Sequence, residues 1–485
     1  MKIRLVLIAV ALLGMPIALA GSPADAMVEA LRRSAEAAFA RGDYSGAAEG
    51  FARLAKAAPN DPGALYNLAC ARARLGDAPG AIEALTESIS VGFVDFHHME
   101  RDEDLELIRG ADAYRLMIVG WPDLLTARGE ADMESARSAL GPGYLYSADD
   151  ALRLNIASSF DQRSTDEALA EVARTARWAE GALFGELLAA PLDRPDHWVT
   201  LTLPTPEHFA SFVPVPGVGG IYDRDRRLLV SQDLGPSLRH EFLHVLHHRV
   251  MDRLGQDHAI WIQEGLGAIV EDMEAASGVD GPTPSWRTNI VKRLEARGRL
   301  TPWKVLFAMP RDRFVKNRPN ANYAQARAVM LFLSDSGKLR DWMAAYTEGF
   351  VEDPSGAGAI ERVFGAPLAQ VEKQYGEWVR ALPEVAEEIR PGMPSLGVVV
   401  DPGTGEGPVI VEVLERTSAA GGDRLRRGDI LTSVAGRVTR TPEDLVRVLA
   451  EQDVGETVEV TVRRGKLRLP IRITLVARGP EASGP

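Results

Sequence analysis

The eleven residues from Leu238 to His248 read LRHEFLHVLHH and hold four of the chain's nine histidines. Leu238, Phe242, Val245 and Leu246 supply apolar faces at helical spacing, Gly235-Pro236 leads in and Gly255 leads out, so the stretch predicts a helix. On a helix, residues four apart project from one side, so His240 and His244 can direct two imidazole nitrogens at one metal ion. Glu241 is rotated from His240 by about 100 degrees, which sets its carboxylate beside that ion rather than on it. Two histidines do not complete a catalytic site. A third protein ligand must reach the same point while one position stays open for water.

The segment WIQEGLGAIVED, which starts at Trp261, is the candidate source of that ligand. HExxH at His240–His244, followed twenty positions later by Glu264 in the setting Trp261-x-x-Glu264-Gly265 with Glu271 beyond, resembles the gluzincin class of zinc peptidases. Gly267 stands where that family commonly has alanine and Ile269 where it commonly has an aromatic, departures expected to touch packing rather than ligation. Gly265 is expected to let this helix approach the first closely. The resemblance covers roughly Asp193 to Leu382. It implies one Zn2+ per chain held by His240, His244 and Glu264, with Glu241 as general base on a zinc-bound water. It also implies that Tyr323, opening the helix NYAQARAVMLFL, stabilises the oxyanion, and it makes Glu271 a candidate to hold a ligand histidine in place. His247, His248 and His258 are expected to be exposed or to lie beside the ligands, since a further histidine ligand would close the open position. Nothing between His197 and His240 matches the glycine-rich motif that anchors a free amine in the aminopeptidase branch, so an endopeptidase is favoured. The hairpin GGIYDRDRRLLVS, with Ile221 and Tyr222 on one strand and Leu228 to Ser231 on the other, offers an edge for an extended substrate near Gly220.

A chain of 485 residues is too long for one core and predicts about three domains. From about Met27 to Asp95 it repeats with a period of 34, Gly42 and Gly76 taking the turn, Ala47 and Ala81 the tight crossing, Phe51 and Leu85 the packed position. These residues resemble tetratricopeptide repeats. A degenerate third segment around Phe96 and Leu105 would close the stack. The repeats imply a face for a protein partner, or else a spacer.

Helices are expected from about Ala148 to Leu188, then a strand in HWVTLTL. Beyond Gly397 alternating apolar strands separated by glycine take over, with one helix capped by Thr441 and opened by Pro442. TSAAGGDRLRRGDILTSVAGR resembles the corresponding segment of PDZ domains, which implies that Leu396, Gly397 and Val398 form the loop holding a peptide carboxylate. A peptide C-terminus or internal segment would add as a strand beside the helix Pro442 to Leu449.

The expected class is therefore multidomain α+β. A signal peptide over 1–26 precedes a tetratricopeptide-like α-solenoid over 27–125, a gluzincin-type metallopeptidase domain of small sheet plus helices over 145–390, and a PDZ β-sandwich or barrel over 393–478. Lys2 and Arg4 before LVLIAVALLGMPIALA, with Ala18-Leu19-Ala20 or Ala24-Asp25-Ala26 as the cut, predict export to the periplasm or cell envelope, or secretion. A membrane anchor results only if that segment is retained. Cys70 is the sole cysteine and reads as a small buried hydrophobe. A net charge of −13 argues against a nucleic-acid surface. The competing expectation is a catalytically inactive envelope scaffold that binds proteins through its repeats and PDZ domain. An intact quartet of two histidines, base and third ligand favours the enzyme.

Overall fold

The structure is a computed structural model that describes residues 23–215, 218–276, 279–403, 405–414 and 424–479. The apolar run of the expected signal peptide lies outside the described residues, as do residues 415–423 of the PDZ-like segment. The second expected cut, Ala24-Asp25-Ala26, falls in the first turns of the helix Pro23–Ala40. No helix among the described residues is long and apolar enough to cross a membrane.

Helices Pro23–Ala40, Tyr44–Ala57, Pro62–Arg74 and Ala78–Val91 stack in chain order, each on the next. Three of them start at an aspartate whose carboxylate accepts an amide of the first turn: Asp43 from Gly46, Asp61 from Ala64, Asp77 from Gly80. Gly42 and Gly76 turn the chain at positive φ, 75° and 84°. Ala47, Ala81, Phe51 and Leu85 are buried, and so are Phe96, Leu105 and Cys70. Close helix crossing is visible at Gly50, where a Cβ would stand 2.8 Å from that of Ala35. The helix Trp121–Leu140 gives Trp121 and Leu125 to this core and then runs on past 125 to the middle of the molecule.

The middle region is built on a five-stranded sheet in the order Leu145–Asp149, Leu154–Ser158, Val199–Leu203, Leu228–Ser231, Gly220–Asp223. Its inner pairings are parallel and its two outer pairings antiparallel. The first two strands correct the expectation of helix from Ala148; helix begins only at Gln162, behind its cap Asp161. Asn155 looks out of place in a buried strand, but its amide donates to the carbonyl of Gly129 at 2.6 Å. The hairpin expected at Gly220–Ser231 is present, with Ile221 opposite Val230 and Tyr222 opposite Leu229. Beneath the sheet lie the helices Pro236–Leu254 and Ile260–Ile269, and below them a helical layer that includes Trp286–Ala296 and Pro319–Asp335.

At the C-terminal end, strands run in the order Leu467–Thr474, Thr457–Arg464, Ile430–Val434, Val409–Val413, Val398–Asp401, so Val398–Asp401 is an edge. The helix Pro442–Ala450 starts in a capping box of Thr441 and Asp444 and sends Leu445, Val448 and Leu449 into a core of its own.

Candidate metal centre

The helix Pro236–Leu254 enters from the sheet through Asp233, whose carboxylate accepts the amides of Gly235 (2.8 Å) and Ser237 (3.1 Å). It is apolar on more than one face and is buried along most of its length, which carries its polar residues into the interior. His240 and His244 are both 1% exposed and Glu264 is 0% exposed, so charge here is almost wholly withdrawn from water.

These three side chains converge. Nε2 of His240 lies 3.6 Å and Nε2 of His244 3.8 Å from Oε2 of Glu264, and one ligand atom from each lies within 4.8 Å of the others. Neither Nε2 nor either carboxylate oxygen of Glu264 has a hydrogen-bond partner among the described residues. Buried polar atoms are ordinarily paired, because leaving one unpaired costs about 1–3 kcal/mol. Four such atoms aimed at one another fit a bound cation. Two imidazoles and one carboxylate are a donor set that suits Zn2+.

Nδ1 of His240 meets Oε1 of Glu271 at 2.9 Å, which directs the opposite nitrogen at Glu264 and His244. Glu271 is itself gripped by the guanidinium of Arg287, at 2.8 and 3.0 Å. Two more buried arginines hold the end of the helix Ile260–Ile269. Arg239 donates to the carbonyls of Val270 and Glu271, and Arg327 to that of Ala268 at 2.9 Å. Cations at a helix C-terminus meet its exposed carbonyl dipoles favourably.

Protonation follows burial and these neighbours. Burial disfavours charge on His240, but the carboxylates of Glu264 and Glu271 outweigh it and push His240 up to about 10. At His244 burial, helped by His240, holds the ring well below the ordinary range. Burial raises Glu271, but the Arg287 charge and His240 prevail and hold it down at about 2. The cluster therefore calls for positive charge at its centre, a demand that a proton or a metal cation meets.

Glu241 lies one residue round the helix, 2% exposed, with Oε2 unpartnered among the described residues. Burial raises its carboxyl to about 7 against the pull of His240. Gly220, on the edge strand, allows this closeness: a Cβ there would fall 2.8 Å from Cγ of Glu241. Gly219, Gly220, Pro236 and Ser237 line, together with His240, Glu241 and Glu271, a small, partly enclosed pocket.

Tyr323 is 3% exposed near the start of the helix Pro319–Asp335, its ring edge-on to Phe314. Burial raises its hydroxyl well above the usual range, and the charges of Glu264 and Glu241 add to the rise. Arg311, which donates to Gln263 at 3.2 Å, sends its charge to both Tyr323 and His244. No local pattern marks Arg311, Arg287 or Arg239, because each meets its partner from a separate element.

Three expectations need correction. Gly267 does touch ligation, since a Cβ there would stand 2.6 Å from Nε2 of His240, and glycine makes the room that the ring occupies. Gly265 opens the helix to Pro319–Asp335 rather than to the histidine helix, its would-be Cβ meeting Ala326 O at 3.0 Å. His247 and His258 are neither exposed nor beside the ligands. Both are buried and share a 2.7 Å hydrogen bond on the far side of the helix, with Gln256 closing the chain at 2.9 Å. His248 does lie beside a candidate ligand: its Nδ1 donates to the backbone carbonyl of His244 at 2.8 Å.

In the C-terminal region Leu396, Gly397 and Val398 are buried at the start of the edge strand, with Gly397 at φ 67°. The amide of Gly397 donates to Ser395 Oγ at 3.0 Å, so one of the amides expected to meet a carboxylate is directed inward.

Comparison with known proteins adds the following. No curated protein matches the chain. Among solved structures, one described as an aminopeptidase N family protein from Idiomarina loihiensis aligns over 69% of this chain and 67% of its own, at 12% identity and a TM-score of 0.25. A superposition that loose carries no argument here. The family model for the PDZ domain matches residues 394–475, and this part of the chain is a PDZ domain, a fold that binds peptides or proteins.

Proposed function

We propose that this protein is an exported zinc-dependent endopeptidase whose metal is held by His240, His244 and Glu264. The observation that carries the reading is the set of four buried, unpaired ligand atoms converging on one point, with Glu241 beside it and His240 oriented by Glu271. Bound Zn2+ supplies a Lewis acid for the scissile carbonyl and lowers the pKa of water toward neutrality.

The chain's own residues do the rest. Glu241, beside the pocket, takes a proton from the attacking water and returns it to the leaving amine. The oxygen of that water joins the carbonyl carbon, the C–N bond breaks, and the products are a carboxylate and an amine. Tyr323 donates a hydrogen bond to the oxyanion in this reading, which its burial beside the charges of Glu264 and Glu241 supports. The edge strand Gly220–Asp223 lies beside Glu241 and can pair with an extended substrate backbone. The repeats serve as a docking face for a protein partner, and the N-terminal segment directs the chain to the cell envelope.

Glu241→Gln keeps the shape and removes the base. It should retain zinc and lose cleavage of a peptide library by a factor of about 10²–10⁴. Full activity in this variant rules the mechanism out.

A further inference from the structure

The PDZ domain is fastened to the rim of the metal pocket. Its loop after the edge strand presses on residues 232–235: Leu234 donates to the carbonyl of Gly405 at 3.2 Å, and a Cβ on Gly405 would overlap the carbonyl oxygen of Gln232. Gln232 in turn donates to Gly219 at 2.9 Å, and Gly219 is a wall of the pocket. Arg440, next to the cap of the helix Pro442–Ala450, donates to the carbonyl of Glu406 in that same loop at 3.0 Å and lies against Gly235, where a Cβ would meet its Cγ at 2.9 Å.

Charged pairs fix the placement. Arg440 and Arg468 both reach Glu167, at 2.9 and 2.8 Å, and Ser164 donates to the buried Glu406 at 2.6 Å. Arg447 faces Asp272, the neighbour of Glu271, at 3.5 Å.

The direction of the groove follows. A peptide carboxylate held at the Leu396–Val398 loop, where the Gly397 amide is already taken by Ser395 Oγ, would place the last residue of the peptide at the beginning of Val398–Asp401. A strand anchored there by its C-terminus must run antiparallel, so its earlier residues pass Asp401 and then Gly405. The strand side and the helix side of the groove thus both end, at their upstream limit, on residues 232–235 at the pocket rim.

We propose that the PDZ groove and the metal pocket form one continuous track, and that the substrates are extended polypeptides with a free C-terminus, cut at a set distance from that end. This inference rests on the peptidase reading above. An extended chain advances about 3.3 Å per residue and the helix from Gly235 to His240 rises about 1.5 Å per residue. Four residues along the edge strand, about as many past the loop, and two or three to His240 put the cut about eight to twelve residues from the C-terminus.

The test uses the wild-type full chain and synthetic peptides ending in an apolar residue, made as free acids and as C-terminal amides, with cuts mapped by mass spectrometry. The acids should be cleaved with kcat/KM about tenfold or more above the amides, chiefly through KM, because amidation removes a charged hydrogen-bonding partner. Inserting residues between the cut and the C-terminus should move the cut toward the C-terminus by the number inserted. Equal cleavage of acids and amides, or cuts that stay with the local sequence, overturns the track while leaving the peptidase intact; capture of internal segments gives this result. No cleavage of any peptide by the zinc-loaded chain removes the peptidase reading and the track with it.

Discussion

At Gly267 a methyl group would stand 2.6 Å from Nε2 of His240, the nitrogen turned toward His244 and Glu264. Gly267→Ala should therefore weaken zinc binding about tenfold or more, as displacing a ligand ring does, with the loss read by competition against a chelator; unchanged affinity contradicts the contact. Arg287 acts through Glu271 on the same ring. Arg287→Met leaves the Glu271 carboxylate buried without its cation, so it should destabilise the fold by about 3–5 kcal/mol in denaturant titrations and weaken zinc binding about 10–100-fold. The pairing of His240 with His244 was legible because residues four apart project from one side of a helix, and Glu264 through the resemblance of WIQEGLGAIVED to the gluzincin helix. Gly267 was not, since a sequence does not say which ring will lie over which backbone atom.

Among elements, those with a local pattern were readable. The aspartate-capped helices near the N-terminus announce themselves by Asp43 and Asp77 three residues before Gly46 and Gly80. Asp77→Ala should cost about 1 kcal/mol by thermal unfolding while zinc content stays unchanged. Phe51, 2% exposed, should cost about 3–5 kcal/mol when cut to Ala. The strands Leu145–Asp149 and Leu154–Ser158 were hidden for a physical reason. Asn155 is paid for by a carbonyl from the distant Gly129, and no short-range periodicity records such a partner. Gly265 misled in the same way, because the helix it accommodates lies some sixty residues further along the chain.

Among the described residues, three large buried clusters span residues 35–125, 154–379 and 396–475, and a small fourth gathers Phe209, Val213, Val218 and Val230. The PDZ domain reaches the middle region through arginines that meet Glu167 and Asp272; Asp272 closes WIQEGLGAIVED and Arg440 adjoins the cap Thr441, but each pair joins residues far apart in the chain, which no local pattern records. Glu167→Ala removes the shared partner of Arg440 and Arg468. The amide of Leu234, bonded to Gly405, should then exchange its hydrogen faster while zinc content is retained; unaltered protection there would show that the ion pairs do not hold the contact. The central claim is that His240, His244 and Glu264 bind one zinc ion. Metal analysis of the purified full chain beside Glu264→Ala tests it most directly: the account predicts about one Zn2+ per wild-type chain and a large loss in the variant. A wild-type chain that stays free of zinc after exposure to it, or a variant that binds it equally well, contradicts the account.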